Sequence, residues 1–163
     1  MICSKFPIRK EHIHPLAGNP ELRPLLEVVV DVPNRQPITV LNTHMAATHL
    51  ATHLSLEYGP SIDVRREQVD AILRRVDQIE GLVILAGDFN VTPWHYQYHR
   101  FRSRLTDSQS GFLSNLQYTV PANFPVKKLD YILHRGFAGS RSWVPNENVS
   151  DHEPLVAELH FKG

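Results

Sequence analysis

Leu82-Val83-Ile84-Leu85-Ala86-Gly87-Asp88-Phe89-Asn90 is the stretch that decides the fold. Five apolar residues in a row, followed by the turn-forming types Gly, Asp and Asn, describe a short strand buried on both faces and ending at the rim of a sheet. A helix precedes it. Val69, Ile72, Leu73, Val76 and Ile79 recur at helical spacing, and Arg65, Arg66, Arg74 and Arg75 fall mostly off that face. The spacing predicts a helix over residues 63–79, capped by Ser61 or Asp63 and ended by Gly81.

Further toward the N-terminus, Leu25-Leu26-Glu27-Val28-Val29-Val30 and Ile38-Thr39-Val40-Leu41-Asn42 are two more strand segments. The Pro-Asn-rich residues 33–37 between them make a hairpin. Residues 1–6 form a short strand stopped by Pro7, and residues 9–24, rich in Pro, His and charge, are a loop. Toward the C-terminus, Thr92-Pro93 has the form of an N-cap followed by proline in the first helical turn, with Trp94, Tyr98, Phe101 and Leu105 as the apolar stripe. Residues 106–126 are irregular, and strands are expected at 128–133 and 155–161. No linker divides the chain, so residues 1–163 form a single α/β or α+β layered domain.

Composition bounds the function. Seventeen basic and 17 acidic side chains cancel, which removes a global basic field as an argument for a nucleic-acid partner without excluding a local basic groove. The single cysteine, Cys3, allows no internal disulfide. No apolar run reaches the roughly 18 residues of a membrane span, and the N-terminus turns polar too soon for a signal peptide. A cytoplasmic location is the expectation.

Four segments put reactive side chains at or beside strand ends: Asn42-Thr43-His44, Gly87-Asp88-Phe89-Asn90, Leu129-Asp130-Tyr131 and Ser150-Asp151-His152. Layered α/β proteins gather sites from distant sequence at such places. Asp88 and Asp151 are hard oxygen donors of the kind Mg²⁺ takes. His44 and His152 can move protons near neutral pH, Asp130 can orient a histidine, and Asn90 can donate to a phosphoryl oxygen without adding charge. Singly, each segment has a plainer reading as a turn, a cap or a structural histidine.

The four segments in this order resemble the C-terminal motifs of the endonuclease/exonuclease/phosphatase superfamily, whose members include exonuclease III, deoxyribonuclease I, inositol polyphosphate 5-phosphatases and neutral sphingomyelinases. The matching pieces are residues 39–44, 82–90, 128–133 and 150–155, and Ile2 to Ile8 is similar to a strand midway through the family domain. The resemblance implies a four-layer α/β/β/α sandwich with its site at one rim, and metal-dependent hydrolysis of phosphoester bonds by activated water. It implies that Asp88 orients or deprotonates the water, Asn90 and His44 hold the phosphate, Asp151 binds Mg²⁺ (or Mn²⁺ in its place), and His152, steadied by Asp130, contacts the scissile phosphate. Family domains begin with strands bearing an Asn and a metal-binding Glu, both upstream of the segment resembled by residues 1–8. The resemblance therefore implies a partial sandwich lacking its N-terminal strands. It also implies weak Mg²⁺ binding, weak or no activity of this chain alone, self-association through an uncovered sheet face, and any membrane anchor lying in a missing N-terminal segment.

The substrate is a phosphorylated molecule; DNA, nucleotide, phosphoinositide and sphingomyelin all stay open, because one fold serves many substrates. The rival reading is a non-catalytic domain that keeps the fold and binds a phosphate ligand or a partner. His49 and His53, one turn apart if helical, could bind zinc, though a loop-packed segment explains them more simply. Trp94, Tyr96 and Tyr98 could stack on a base or sugar, with core packing the simpler account of Trp94 and Tyr98. Arg100, Arg102 and Arg104 read as a solvated face with phosphate contact as the alternative. Lys127 and Lys128 are equally ambiguous.

Overall fold

The computed structural model describes residues 1–18, 21, 23–47, 62–109, 118–122, 124–145, 147 and 150–163, the side chain of Ile62 excepted. Its elements are β1 (Ile8–His14), β2 (Leu25–Val30), β3 (Ile38–His44), α1 (Ile62–Gln78), β4 (Leu82–Asp88), α2 (Tyr96–Arg102), β5 (Thr106–Asp107), β6 (Asp130–Arg135), β7 (Gly139–Trp143) and β8 (Val156–His160). Six strands form one sheet in the order β1-β2-β3-β4-β6-β5, and β7 and β8 form a separate antiparallel pair. In the six-stranded sheet only β3 and β4 run parallel; α1 lies in the crossover between them.

Alternation along the strands sorts the apolar residues into two cores. Leu41, Val83, Leu85 and Leu133 face one side and pack with Val69, Ile72 and Val76 of α1 and Phe101 of α2. Ile38, Val40, Leu82 and Ile84 face the other side, where Leu159 and Phe161, from β8 and just beyond it, cover them together with Phe137. The layers are thus helices, a six-stranded sheet and a two-stranded sheet, a mixed α/β architecture and three of the four layers expected. Among the described residues no helix lies on the outer side of the β7–β8 pair. Nor is any described helix long and apolar enough to cross a membrane.

Helix α1 and the β2–β3 hairpin stand where the sequence predicts them, to within a residue or two. Strand β4 is not buried on both faces along its whole length. Leu82, Val83 and Leu85 are buried, but Ile84, Ala86, Gly87 and Asp88 are only partly buried. The strand expected at residues 1–6 lies instead at 8–14, inside the expected loop. It is an edge strand, almost wholly exposed and held by its antiparallel ladder to β2. The last central strand begins at Asp130 rather than 128. Lys128 turns into the interior, where its Nζ donates to Asp107 Oδ2 at 2.9 Å, the same oxygen that accepts the Tyr98 hydroxyl at 2.7 Å.

Helix α2 also starts later than predicted. Thr92 is not its cap: the His95 N–H donates to the Thr92 carbonyl at 2.9 Å, closing a turn, and His95 itself caps the helix by accepting the Gln97 N–H on Nδ1 at 3.1 Å. The turn lifts Trp94 off the apolar stripe and leaves it 80% exposed, with Tyr96 at 72%. Tyr98 and Phe101 go into the core. Arg100 and Arg104 are not a free basic face; they pair with Asp70 and Asp77 of α1 and tie the helices together. His49 and His53 lie outside the described residues.

Candidate active site

The sheet registers bring the reactive segments to one rim. His44 at the end of β3 stands opposite Asp88 at the end of parallel β4, and Asp88 stands opposite Asp130 at the start of antiparallel β6. His44 Nε2 lies 3.4 Å from Asp88 Oδ2. On the other side His152 Nδ1 lies 2.8 Å from Asp130 Oδ2, joining the 150–152 loop to the strand. Five of the six residues expected from the sequence thus form a connected set. Asp151 is exposed, with its Oδ1 accepting the Ser150 hydroxyl at 3.0 Å.

Gly87 makes this approach possible. Its φ is +136°, and a Cβ there would lie 1.9 Å from the Thr43 carbonyl oxygen. Only glycine lets β4 pass that close to β3 one residue before Asp88. Asn90 follows with φ +51°, a left-handed conformation that asparagine tolerates better than most residues. Its backbone N–H donates to Asp88 Oδ1 at 2.7 Å. Its side-chain Nδ2 donates to Asp88 Oδ2 at 3.1 Å and to the Met45 carbonyl at 2.8 Å. Both amide hydrogens are therefore in use, so donation from Asn90 to a phosphoryl oxygen requires that one of these bonds be exchanged.

The electrostatics differ across the rim. Burial pushes the Asp88 carboxyl above its ordinary value. The Asn90 N–H draws it back, the neighbouring Asp130 charge raises it, and His44 and His152 lower it. For His152, burial disfavours the charged ring, but the hydrogen bond with Asp130 and the charges of Asp130, Asp88 and Asp151 outweigh it and hold the imidazole above its usual range. One rim therefore holds a carboxylate with strengthened proton affinity beside an imidazole inclined to be cationic. Next to them Ala86, Gly87, Asp130, Ile132, Ser150 and His152 help line a cleft of about 380 Å³.

Sequence reasoning missed Thr119. It is fully buried, and its hydroxyl donates to Asp130 Oδ2 at 2.6 Å while accepting the Leu129 N–H at 3.4 Å. Its carbonyl accepts the Glu153 N–H at 2.8 Å, so one residue ties the start of β6 to the 150–153 loop. A lone threonine before Val-Pro carries no motif, and only the folded contacts expose it.

A divalent cation fits the donor chemistry only in part. Asp151 offers a hard, water-facing carboxylate, the kind of ligand Mg²⁺ accepts while keeping most of its water. Among the described residues, no three or more His, Cys, Asp or Glu side chains are grouped to hold a metal.

Known proteins share this fold. The chain is 30% identical over 130 residues to a UPF0294 protein of Erwinia tasmaniensis; the match covers 78% of this chain and 43% of that protein. The chain thus spans less than half the length of this curated relative. Among solved structures, an endonuclease/exonuclease/phosphatase from Bacteroides vulgatus superposes with a TM-score of 0.75 at 20% identity, over 97% of this chain and 67% of that one. A mannosyl-6-phosphatase of Bacteroides thetaiotaomicron superposes with a TM-score of 0.71 at 20% identity, over 96% and 68%. At such identities the likeness is one of fold. The sequence profile described as the Endonuclease/Exonuclease/phosphatase family matches residues 1–152, nearly the whole chain, and with that span the chain belongs to this family.

Proposed function

We propose that this chain carries a phosphoester-hydrolysing site that uses activated water with the help of a divalent cation, Mg²⁺ foremost. The observation that carries the reading is the pairing at one rim of Asp88, with raised proton affinity, and His152, held toward its cationic form by Asp130. Water attack on phosphorus needs both. Asp88 takes the proton as the water oxygen bonds to phosphorus. His152 first attracts the phosphate anion and then gives its proton to the leaving oxygen as the phosphorus–oxygen bond breaks. His44, exposed at the rim, binds a phosphate oxygen, and Asn90 keeps the Asp88 carboxylate aimed.

A bound Mg²⁺ would supply charge neutralisation at the phosphate. Asp151 is the residue that would hold it, and a single exposed carboxylate makes for weak affinity. The sparse ligand set favours, as a second reading, a domain that binds a phosphate ligand without turning it over.

The test is turnover of p-nitrophenyl phosphate and bis(p-nitrophenyl) phosphate by the chain with millimolar Mg²⁺, with and without EDTA. Asp88→Asn and His152→Ala are each expected to lower kcat/KM by about a hundredfold or more with little change in thermal midpoint. Turnover equal to wild type in both variants removes the mechanism. Saturable phosphate binding with no turnover at any Mg²⁺ concentration selects the binding domain instead.

A further inference from the structure

Two side chains of α1 reach the site from behind. Arg65 and Gln68 are both buried, at 5% and 0% exposure, and both end on Ala46, two residues past His44. Gln68 Oε1 accepts the Ala46 N–H at 2.9 Å, and its Nε2 donates to the Ala17 carbonyl at 2.8 Å. Arg65 donates from Nε and Nη2 to the Ala46 carbonyl at 3.1 and 3.0 Å.

The peptide joining Met45 to Ala46 is a rigid plane, with the Met45 carbonyl at one end and the Ala46 N–H at the other. Gln68 grips the N–H end. At the carbonyl end sit Asn90 Nδ2 at 2.8 Å and Arg23 Nη1 at 2.9 Å. Rotation of that plane cannot change one end without changing the other. The amide of Asn90, and through it the Asp88 carboxylate, is therefore held in line with α1 through the Met45–Ala46 peptide.

We propose that Gln68 is a positioning residue for the rim: it fixes the Met45–Ala46 peptide plane, with Arg65 securing the next carbonyl, and so sets the orientation of Asn90 and Asp88. The catalytic part rests on the phosphoesterase reading above; the positioning part does not. Gln68→Met keeps the length and removes the acceptor. Gln68→Glu keeps an acceptor for the Ala46 N–H and gives up the donor to Ala17.

The Asn90 side-chain NH₂ pair, assigned by its loss in Asn90→Asp, is followed by ¹H–¹⁵N NMR on the full chain. In Gln68→Met the pair is expected to shift or broaden and kcat to fall about tenfold with KM nearly unchanged. In Gln68→Glu both are expected to return toward wild type. An Asn90 NH₂ pair unmoved in folded Gln68→Met overturns the proposal, as does a Gln68→Glu variant no closer to wild type than Gln68→Met. If Gln68→Met does not fold, Arg65→Lys, which retains the cation but replaces the two-nitrogen fork with one ammonium nitrogen, takes its place, and an unmoved Asn90 signal there is equally fatal. A wild-type chain without turnover defeats the phosphoesterase reading, while the NMR comparison still decides whether Gln68 positions Asn90.

Discussion

At the scale of single residues, Glu27 makes a buried, bidentate ion pair away from the rim. It is 3% exposed, and its two carboxylate oxygens each accept from Arg75 at 2.6 Å while His14 Nε2 lies at 2.7 Å. The Arg75 hydrogen bonds, opposed by burial and helped by His14, pull its carboxyl from 4.5 down to about 2. Because the folded value lies below the unfolded one, the contribution to stability is complete above about 4.5 and is lost as pH falls from there toward about 2. The amount at stake is on the order of 3 kcal/mol. Glu27→Gln should therefore be clearly less stable than wild type at neutral pH, with the gap closing through this window. Urea midpoints across a pH series measure it, and a gap independent of pH would contradict the assignment.

At the scale of elements, α2 makes the sharpest distinction between neighbouring aromatics. Phe101 is fully buried with its ring 4.8 Å from that of Phe89, and Tyr98 lies 4.9 Å from Tyr131, whereas Trp94 projects from the preceding turn. Phe101→Ala should lower stability by roughly 3–5 kcal/mol. Trp94→Ala should change it by less than about 0.5 kcal/mol. Denaturation curves that reversed this order would put the turn in the wrong place.

Trp94 also shows where the sequence misleads. Helical spacing places it in line with Tyr98 and Phe101, and Thr-Pro imitates a helix start, but the turn from Thr92 to His95 moves the cap three residues on and breaks the stripe. Helix α1 was legible because it separates a charged face from an apolar one. Strand β1 was not, because an exposed edge strand carries no alternation, and β7, Gly-Ser-Arg-Ser-Trp, carries almost no apolar pattern. At the rim, the side chains that face it stand in strand-end motifs and could be found from sequence. Thr119, Arg65 and Gln68 act through tertiary contacts and could not.

At the scale of the whole molecule, the two faces of the large sheet are treated unequally. The helices close one face; the β7–β8 pair closes one end of the other. At the far edge Ile8 and Ile13 of β1 are 41% and 65% exposed, and with Leu26 they border a cavity of about 400 Å³. With zero formal net charge there is no long-range repulsion to keep copies apart, although Arg9, Lys10 and Glu11 on the same strand weaken edge pairing. Weak self-association is expected, with the mass from light scattering rising with concentration and Ile13→Lys returning it to that of a monomer. A wild-type mass constant up to millimolar concentration would refute this.

The central strand β4 finds its neighbours far along the chain in both directions, at β3 behind it and β6 ahead. Loop closure must precede both pairings, whereas α1 needs only local contacts. During refolding, the helix can therefore form early and the rim only when the last strand docks. Under the proposed function, recovered turnover would report completion of the sheet, and a collapsed intermediate rich in helix would remain silent in such an assay.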